Sequence, residues 1–307
     1  MKLVHITTCT NRKRVPVVDN LLCRTLPYGN MTNVADEWIS RVLHAPHEYL
    51  ARSLYCGRGF SESLSAAQLA TTDLWVISAG LGLILSNEKI PSYSLTIASG
   101  ADDSIKGRIS SGFHPSEWWN AINSISGRSI SNLINNDPDK SLFLISLTQP
   151  YAPLILNDLL NLTPESLTRV RIVGIMCSKN LPIQIQSICM PYDARINDPR
   201  CFPGTMSDFA QRSAYHFVKN IWNVYGYQSV TDDSAAISKT LDMLEVPFVP
   251  SRRQLSDDEV RNVIIANWDR AEGYSNRMLR VLRDDLRVAC EQKRFSILFK
   301  KVKEELI

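Results

Sequence analysis

No apolar run in this chain reaches the roughly 18 residues that a transmembrane helix needs. The N-terminus passes straight into Leu3-Val4-His5-Ile6-Thr7, which is too short for a signal-peptide core and has no cleavage site. A cytoplasmic protein without membrane attachment is expected. The seven cysteines, at positions 9, 23, 56, 177, 189, 201 and 290, include no Cys-x-x-Cys pair. Their number is odd, which argues against a disulfide framework and a structural zinc site. The five histidines form no close ligand set. Gly-x-x-x-x-Gly-Lys-Ser/Thr is missing, against a P-loop NTPase, and so are Gly-x-Ser-x-Gly and His-Glu-x-x-His. No cofactor and no metal are expected. There is no internal repeat and no low-complexity tract.

What is present is an ordinary globular composition: 307 residues, 44% hydrophobic and 21% charged. That is enough for one large domain and a smaller one. The net charge is only +3, but its location is informative. From Ser251 to Ile307 there are 13 Lys and Arg against 10 Asp and Glu, which leaves 21 against 21 in residues 1–250. The whole excess lies at the C-terminal end, where an anionic partner is expected.

Short apolar strands alternate with helical patterns through the first two thirds. Expected strands are Leu3–Thr8, Leu74–Ala79, Leu142–Leu147, Val170–Met176 and Ile185–Met190. Expected helices are Thr32–Leu43, Ser61–Ala70, Pro115–Ile134, Pro150–Leu160, one opening at Thr163-Pro164-Glu165, and Ser207 to about Tyr225. The alternation predicts an α/β fold with a mainly parallel sheet flanked by helices. A helix over Asp232–Leu244 precedes the proline-bearing linker Val246-Pro247-Phe248-Val249-Pro250-Ser251, so domains of 1–245 and 251–307 are expected. Ser256-Asp257-Asp258-Glu259 fits a capping box before an apolar run that ends near Trp268. After a turn at Glu272-Gly273-Tyr274-Ser275, a long helix is expected, with Leu279, Leu282, Leu286 and Ala289 on one face. Arg277, Arg280, Arg283 and Arg287 form a stripe on another. The outline is an all-helical or winged helix-turn-helix domain whose arginines meet DNA. Alternatively the stripe is a solvated face paired with Asp284, Asp285 and Glu291.

Three strand ends carry candidate chemistry. Ser78, Gly80 and Gly82 follow the second strand, either as a pocket wall or as a tight connection. Gln149-Pro150-Tyr151 follows the third. Met190-Pro191-Tyr192-Asp193-Ala194-Arg195 follows the last. A helix then opens at Thr205 or Ser207 and carries Asp208, Gln211 and Arg212, with free N–H groups that could hold an anion. A carboxylate can activate water or stabilise an oxocarbenium ion. Arginine can grip a phosphate, a tyrosine face can stack on a base, and glutamine can pair with its edge. Either aspartate can equally be structural, Asp208 as a helix-start charge and Asp193 as a loop partner of Arg195. His114 can sit at a pocket rim, or precede a capped helix with buried tryptophans. Arg12, Lys13 and Arg14 can hold a phosphate or form an exposed loop.

The order Ala51-Arg52-Ser53-Leu54-Tyr55, then Ser78-Ala79-Gly80-Leu81-Gly82-Leu83, then Pro91-Ser92-Tyr93 resembles a poorly characterised bacterial family. That family is distantly similar to the peroxide-stress DNA-binding family and to deazaguanine-modification modules. Thr7-Thr8-Cys9-Thr10-Asn11-Arg12-Lys13 is similar to its opening strand, and the likeness spans roughly residues 1–225. Gln149-Pro150-Tyr151 resembles the water-activating loop of uracil-DNA glycosylases but lacks its aspartate, so Asp193 or Asp208 must supply the acid. The chain is also similar to phage-defence glycosylases that excise glucosylated hydroxymethylcytosine.

These resemblances imply a uracil-DNA-glycosylase-like three-layer fold and a DNA glycosylase acting on modified phage DNA, with double-stranded DNA as partner. Asp193 or Asp208 would position water at the sugar. Arg52, Arg195 and Arg212 would hold phosphates or polar substituents. Tyr55, Ser78, Gly80, Gly82, Gln149, Tyr151, Tyr192 and Gln211 would bind the flipped nucleotide. A non-catalytic binding module and a base-exchange transglycosylase are the alternatives.

Overall fold

The structure is a computed structural model and describes residues 1–175, 178–248 and 251–306. It divides into two compact units, Met1–Pro247 and Phe248–Ile307. No described helix is long and apolar enough to cross a membrane.

The first unit is built on a five-stranded sheet. Its strands are β1 (Leu3–Thr8), β2 (Leu74–Ser78), β3 (Gly82–Leu85), β4 (Leu142–Ser146) and β5 (Val170–Val173). They lie in the order β3-β2-β1-β4-β5. β1 pairs in parallel with β2 (His5 opposite Leu74) and with β4 (Leu3 opposite Leu142), and β4 pairs in parallel with β5. Only β3 is antiparallel, folded back on β2 through Ser78 and Gly82.

The residues of β4 show why the sheet is covered on both faces. Phe143 and Ile145 enter one apolar core, and Leu142 and Leu144 enter the other. All four are at most 1% exposed, and burying each such side chain is worth about 2 kcal/mol. Over the first face lie α1 (Met31–His44), α3 (Pro115–Ser126) and α4 (Ala152–Leu160). Over the second lie α2 (Arg58–Leu69), α5 (Phe209–Phe217) and α6 (Val230–Leu241). On β5, Arg171 faces this second layer and forms a buried ion pair with Asp233 of α6 at 2.6 Å. Gly174 follows β5 with φ +103°, and a Cβ there would stand 2.2 Å from that of Ala210. α5 is thereby seated directly on the ends of β4 and β5.

Three expected elements differ. Ile185–Met190 is not a strand. Pro182 starts a short helix, Ile183–Gln186, and only Cys189 bridges Ile172 of β5. Ile185 and Ile188 are buried three residues apart while Ile183 is exposed, which is helical spacing rather than alternation. The stretch Pro115–Ile134 is two helices, because Gly127 closes α3 in the left-handed region and Ser129 caps a new helix, Ile130–Asn135. β3 was not among the expected strands. Met176, the expected end of the fourth strand, lies outside the described residues, as do Cys177 and the linker residues Val249 and Pro250.

In the second unit, α7 (Asp257–Ala266) opens on the Ser256–Glu259 capping box. α8 (Ser275–Arg280) continues as a wide turn to Asp285, and α9 (Gln292–Leu306) follows. Val260, Ile264, Met278, Leu282, Phe295 and Val302 share its core. The long helix expected after Ser275 stops early. Arg287 takes φ +56°, and Val288–Ala289 pairs in parallel with Arg253–Gln254. Arg287 and Ala289 therefore leave the helical faces to which the pattern assigned them.

Candidate active site

In an open α/β sheet, ligands bind beyond the carboxyl ends of the strands where the winding changes direction. Here that point lies between β1 and β4. The chain leaves β1 toward β2 on one side and returns to β4 on the other. A cavity of about 530 Å³ opens there. The end of β1 and its loop supply Thr8, Cys9, Thr10, Asn11 and Arg12. Beyond β4, Thr148 and Tyr151 contribute. The start of α2 adds Gly57–Phe60, and the approach to α5 adds Thr205, Ser207, Asp208 and Gln211.

Both flanking helices reach the cavity by their N-terminal ends. α2 starts at Arg58 after Gly57, which offers no side-chain cap, so its first N–H groups have neither an intrahelical acceptor nor a capping oxygen. Arg12 is exposed and forms no ion pair among the described residues. This rim is suited to an anion.

Asp208 is the carboxylate of the cavity and is 3% exposed. Its Oδ1 accepts from the Thr205 N–H at 2.8 Å and from Arg212 Nε at 2.8 Å, closing a capping box with Thr205. Asp208 is thus the helix-start charge the sequence allowed, and this helix start is capped rather than open to an anion. Its Oδ2 lies 3.4 Å from Arg58 Nε. Arg212 is fully buried and also donates to the Phe202 and Thr205 carbonyls. The carboxylate is thus fixed through one oxygen, while the other is left beside a half-exposed arginine. Gln211 donates through Nε2 to Thr8 Oγ1 at 3.3 Å. The Tyr151 hydroxyl meets Cys9 Sγ at 3.2 Å, and burial holds its pKa well above the ordinary value. Lys13 lies beside this wall, 4.0 Å over the Tyr93 ring, and burial lowers its pKa to about 8.

Asp208, Gln211, Tyr151 and Arg12 are therefore brought together at the cavity. Arg212 stands behind Asp208, buried and bonded to it rather than free to hold a phosphate. The other expected residues are not there. Asp193 caps the turn Ala194–Asn197 and pairs with Arg195 at 2.8 Å, away from the cavity. Burial pushes its carboxyl up, but the Arg195 side chain and N–H outweigh that and leave it below the usual range. Arg195 is spent on Asp193 and Asp242. Tyr192 is 4% exposed, with its hydroxyl 2.9 Å from His216 Nδ1. Arg52 and Gln149 are exposed outside the cavity lining, and so is His114.

The turn after β2 is filled by the protein itself. Tyr55 bonds Tyr93 at 2.8 Å, Tyr93 bonds Ser78 at 2.7 Å, and Ser78 Oγ accepts from the Leu81 N–H. A Cβ on Gly80 would stand 2.8 Å from Tyr93, and one on Gly82 would stand 2.7 Å from Asn123. These glycines admit side chains of the protein's own core rather than a ligand. Ser78, Gly80, Gly82 and Tyr55 form a packed tight connection.

No family model, curated protein or solved structure matches the chain. Gly59, Phe60 and Thr96 of the lining were not among the expected residues, and Gly57, Arg58, Thr8, Thr10 and Thr148 stood only inside longer motifs without a role of their own. The available signal was a glycine pair directly before an amphipathic helical run.

Proposed function

We propose that the protein is a DNA glycosylase that hydrolyses the N-glycosidic bond of a modified base and leaves an abasic site. The observation that carries this reading is the Asp208 carboxylate. It is held from behind by Arg212, inside a cavity walled by hydroxyls, an amide and aromatic rings. Asp208 Oδ2 would stabilise the positive charge developing on the sugar and orient the attacking water. Arg12 and the start of α2 would hold the phosphate of the flipped nucleotide. The three layers and the cavity between β1 and β4 support a uracil-DNA-glycosylase-like arrangement. The resemblance noted above supports glucosylated hydroxymethylcytosine in phage DNA as the base, and defence against phage as the setting.

In the second unit, α7, the turn at Asp269–Ala271 and α8 support a helix-turn-helix reading. The arginines are unequal for DNA contact. Arg277 pairs with Glu272, and Arg283 donates to the Cys290 carbonyl. Arg280 and Arg287 are exposed and form no ion pair among the described residues. Two of the three acids expected to neutralise the stripe are engaged elsewhere, Asp284 with Arg252 and Asp285 with Arg270.

The test is incubation with plain, hydroxymethylated and glucosylated phage DNA, followed by alkali cleavage and mass spectrometry of released bases. Free modified base with alkali-labile breaks is expected, lost in Asp208→Asn and kept in Asp193→Asn. A melting curve for each variant separates lost chemistry from lost folding. Binding of DNA with no base released from any substrate would sink the enzyme reading and favour a recognition module.

A further inference from the structure

Gln211 lines the same cavity one helical turn beyond Asp208, yet the residue is 5% exposed. Its Nε2 is engaged with Thr8 Oγ1, while its Oε1 has no hydrogen-bond partner among the described residues. Buried acceptors are rarely left without a donor, because they have lost water and gained nothing in exchange. No donor among the described residues bonds it, including the open N–H groups at the start of α2, although Oε1 lies close to Gly59 there. Asp208 is an acceptor when ionised, and the Arg212 guanidinium is taken by Asp208, Phe202 and Thr205. The missing donor is therefore assigned to the ligand.

Base edges differ in this respect. Cytosine and adenine present an exocyclic amine, a donor. Uracil and hypoxanthine present a carbonyl oxygen at the same position, an acceptor that would face another acceptor. We propose that Gln211 is a specificity-determining residue whose Oε1 accepts from the exocyclic amine of the bound base, so that the cavity takes amino-bearing nucleobases over their oxo counterparts. The inference rests on reading the cavity as a nucleotide pocket and adds the edge it recognises. It requires no bond to be broken.

The test is calorimetric titration of the full chain with four deoxynucleoside monophosphates in two matched pairs, cytidine against uridine and adenosine against inosine. The amino member of each pair is expected to bind about 5- to 150-fold more tightly. Gln211→Leu is expected to level both pairs. Gln211→Met serves the same purpose if the leucine variant fails to fold, and the matched pairs test the unaltered protein in any case. Equal or tighter binding of the oxo members would overturn the proposal, as would a preference that survives at Gln211→Leu, or no binding of any of the four. Base release without an amino preference would sink this inference and leave the glycosylase standing. An amino preference without base release would do the reverse.

Discussion

At the scale of the residue, the molecule spends many of its polar side chains on itself. Asp193, Arg195, Tyr192 and Arg212 have the right chemistry for a nucleotide site, but each is consumed by a partner within the fold. A sequence shows which groups are present but not which are already paired. Asp208, Gln211 and Tyr151 were legible because a helix start and a strand end direct them to the sheet edge. Buried histidines show the same internal use. Burial lowers His5 to about 3 and His216 to about 4, so both are neutral in the folded state. The unfolded chain titrates them near 6.5. Above that pH neither state binds the protons. Below it the unfolded chain binds protons that the folded one excludes, so stability present above 6.5 is lost as pH falls toward 4 and 3. Each histidine is expected to contribute a slope of about 1.4 kcal/mol per pH unit in that window. Urea unfolding midpoints from pH 7 down to about 4 would measure it, and His216→Gln should remove one proton's share. An unchanged slope in that variant would show that His216 is not held neutral.

At the scale of the element, α/β alternation was legible because fully buried parallel strands read as unbroken apolar runs. β3 escaped because a four-residue strand after a glycine turn has no pattern of its own length. Ile185–Met190 misled because isoleucines at 183, 185 and 188 fit both periods, and Pro182 decided between them. The ends of α2 and α5 matter most, since these helices bring Arg58, Asp208 and Gln211 to the cavity. Gly174 fixes the seat of α5. An alanine there meets Ala210 and must also adopt a positive φ. Gly174→Ala is expected to cost about 2–4 kcal/mol, from overpacking together with backbone strain. The same substitution should weaken any activity more than Gly127→Ala, whose Cβ would meet nothing within 4 Å. Denaturant midpoints and base release, measured in parallel, check both statements. A Gly174→Ala protein of unchanged stability would mean that α5 can shift without cost.

At the scale of the whole molecule, charge and chemistry are divided between the units. Residues 1–247 carry 21 basic and 21 acidic side chains, so the first unit has no net charge with which to gather an anionic partner. Residues 248–307 carry 13 against 10. Six of those 13, Arg252, Arg261, Arg270, Arg277, Arg294 and Lys300, are held in ion pairs among the described residues, which reduces the effective footprint. Binding to unmodified duplex should therefore be weak and modestly salt-dependent, since each phosphate neutralised contributes about 0.9 to the slope of log K against log salt. Arg280→Ala and Arg287→Ala are each expected to lower that slope by about 1. Arg277→Ala should change it less, because Glu272 already holds that guanidinium. Fluorescence anisotropy on one duplex across a salt series reads all three variants. If Arg280→Ala and Arg287→Ala leave the slope untouched while Arg277→Ala lowers it, the ion pair opens on DNA and the free arginines face away. If none of the three moves it, the cations that meet DNA lie off this stripe, and Lys300, Lys301 and Lys303 of α9 become the next positions to replace.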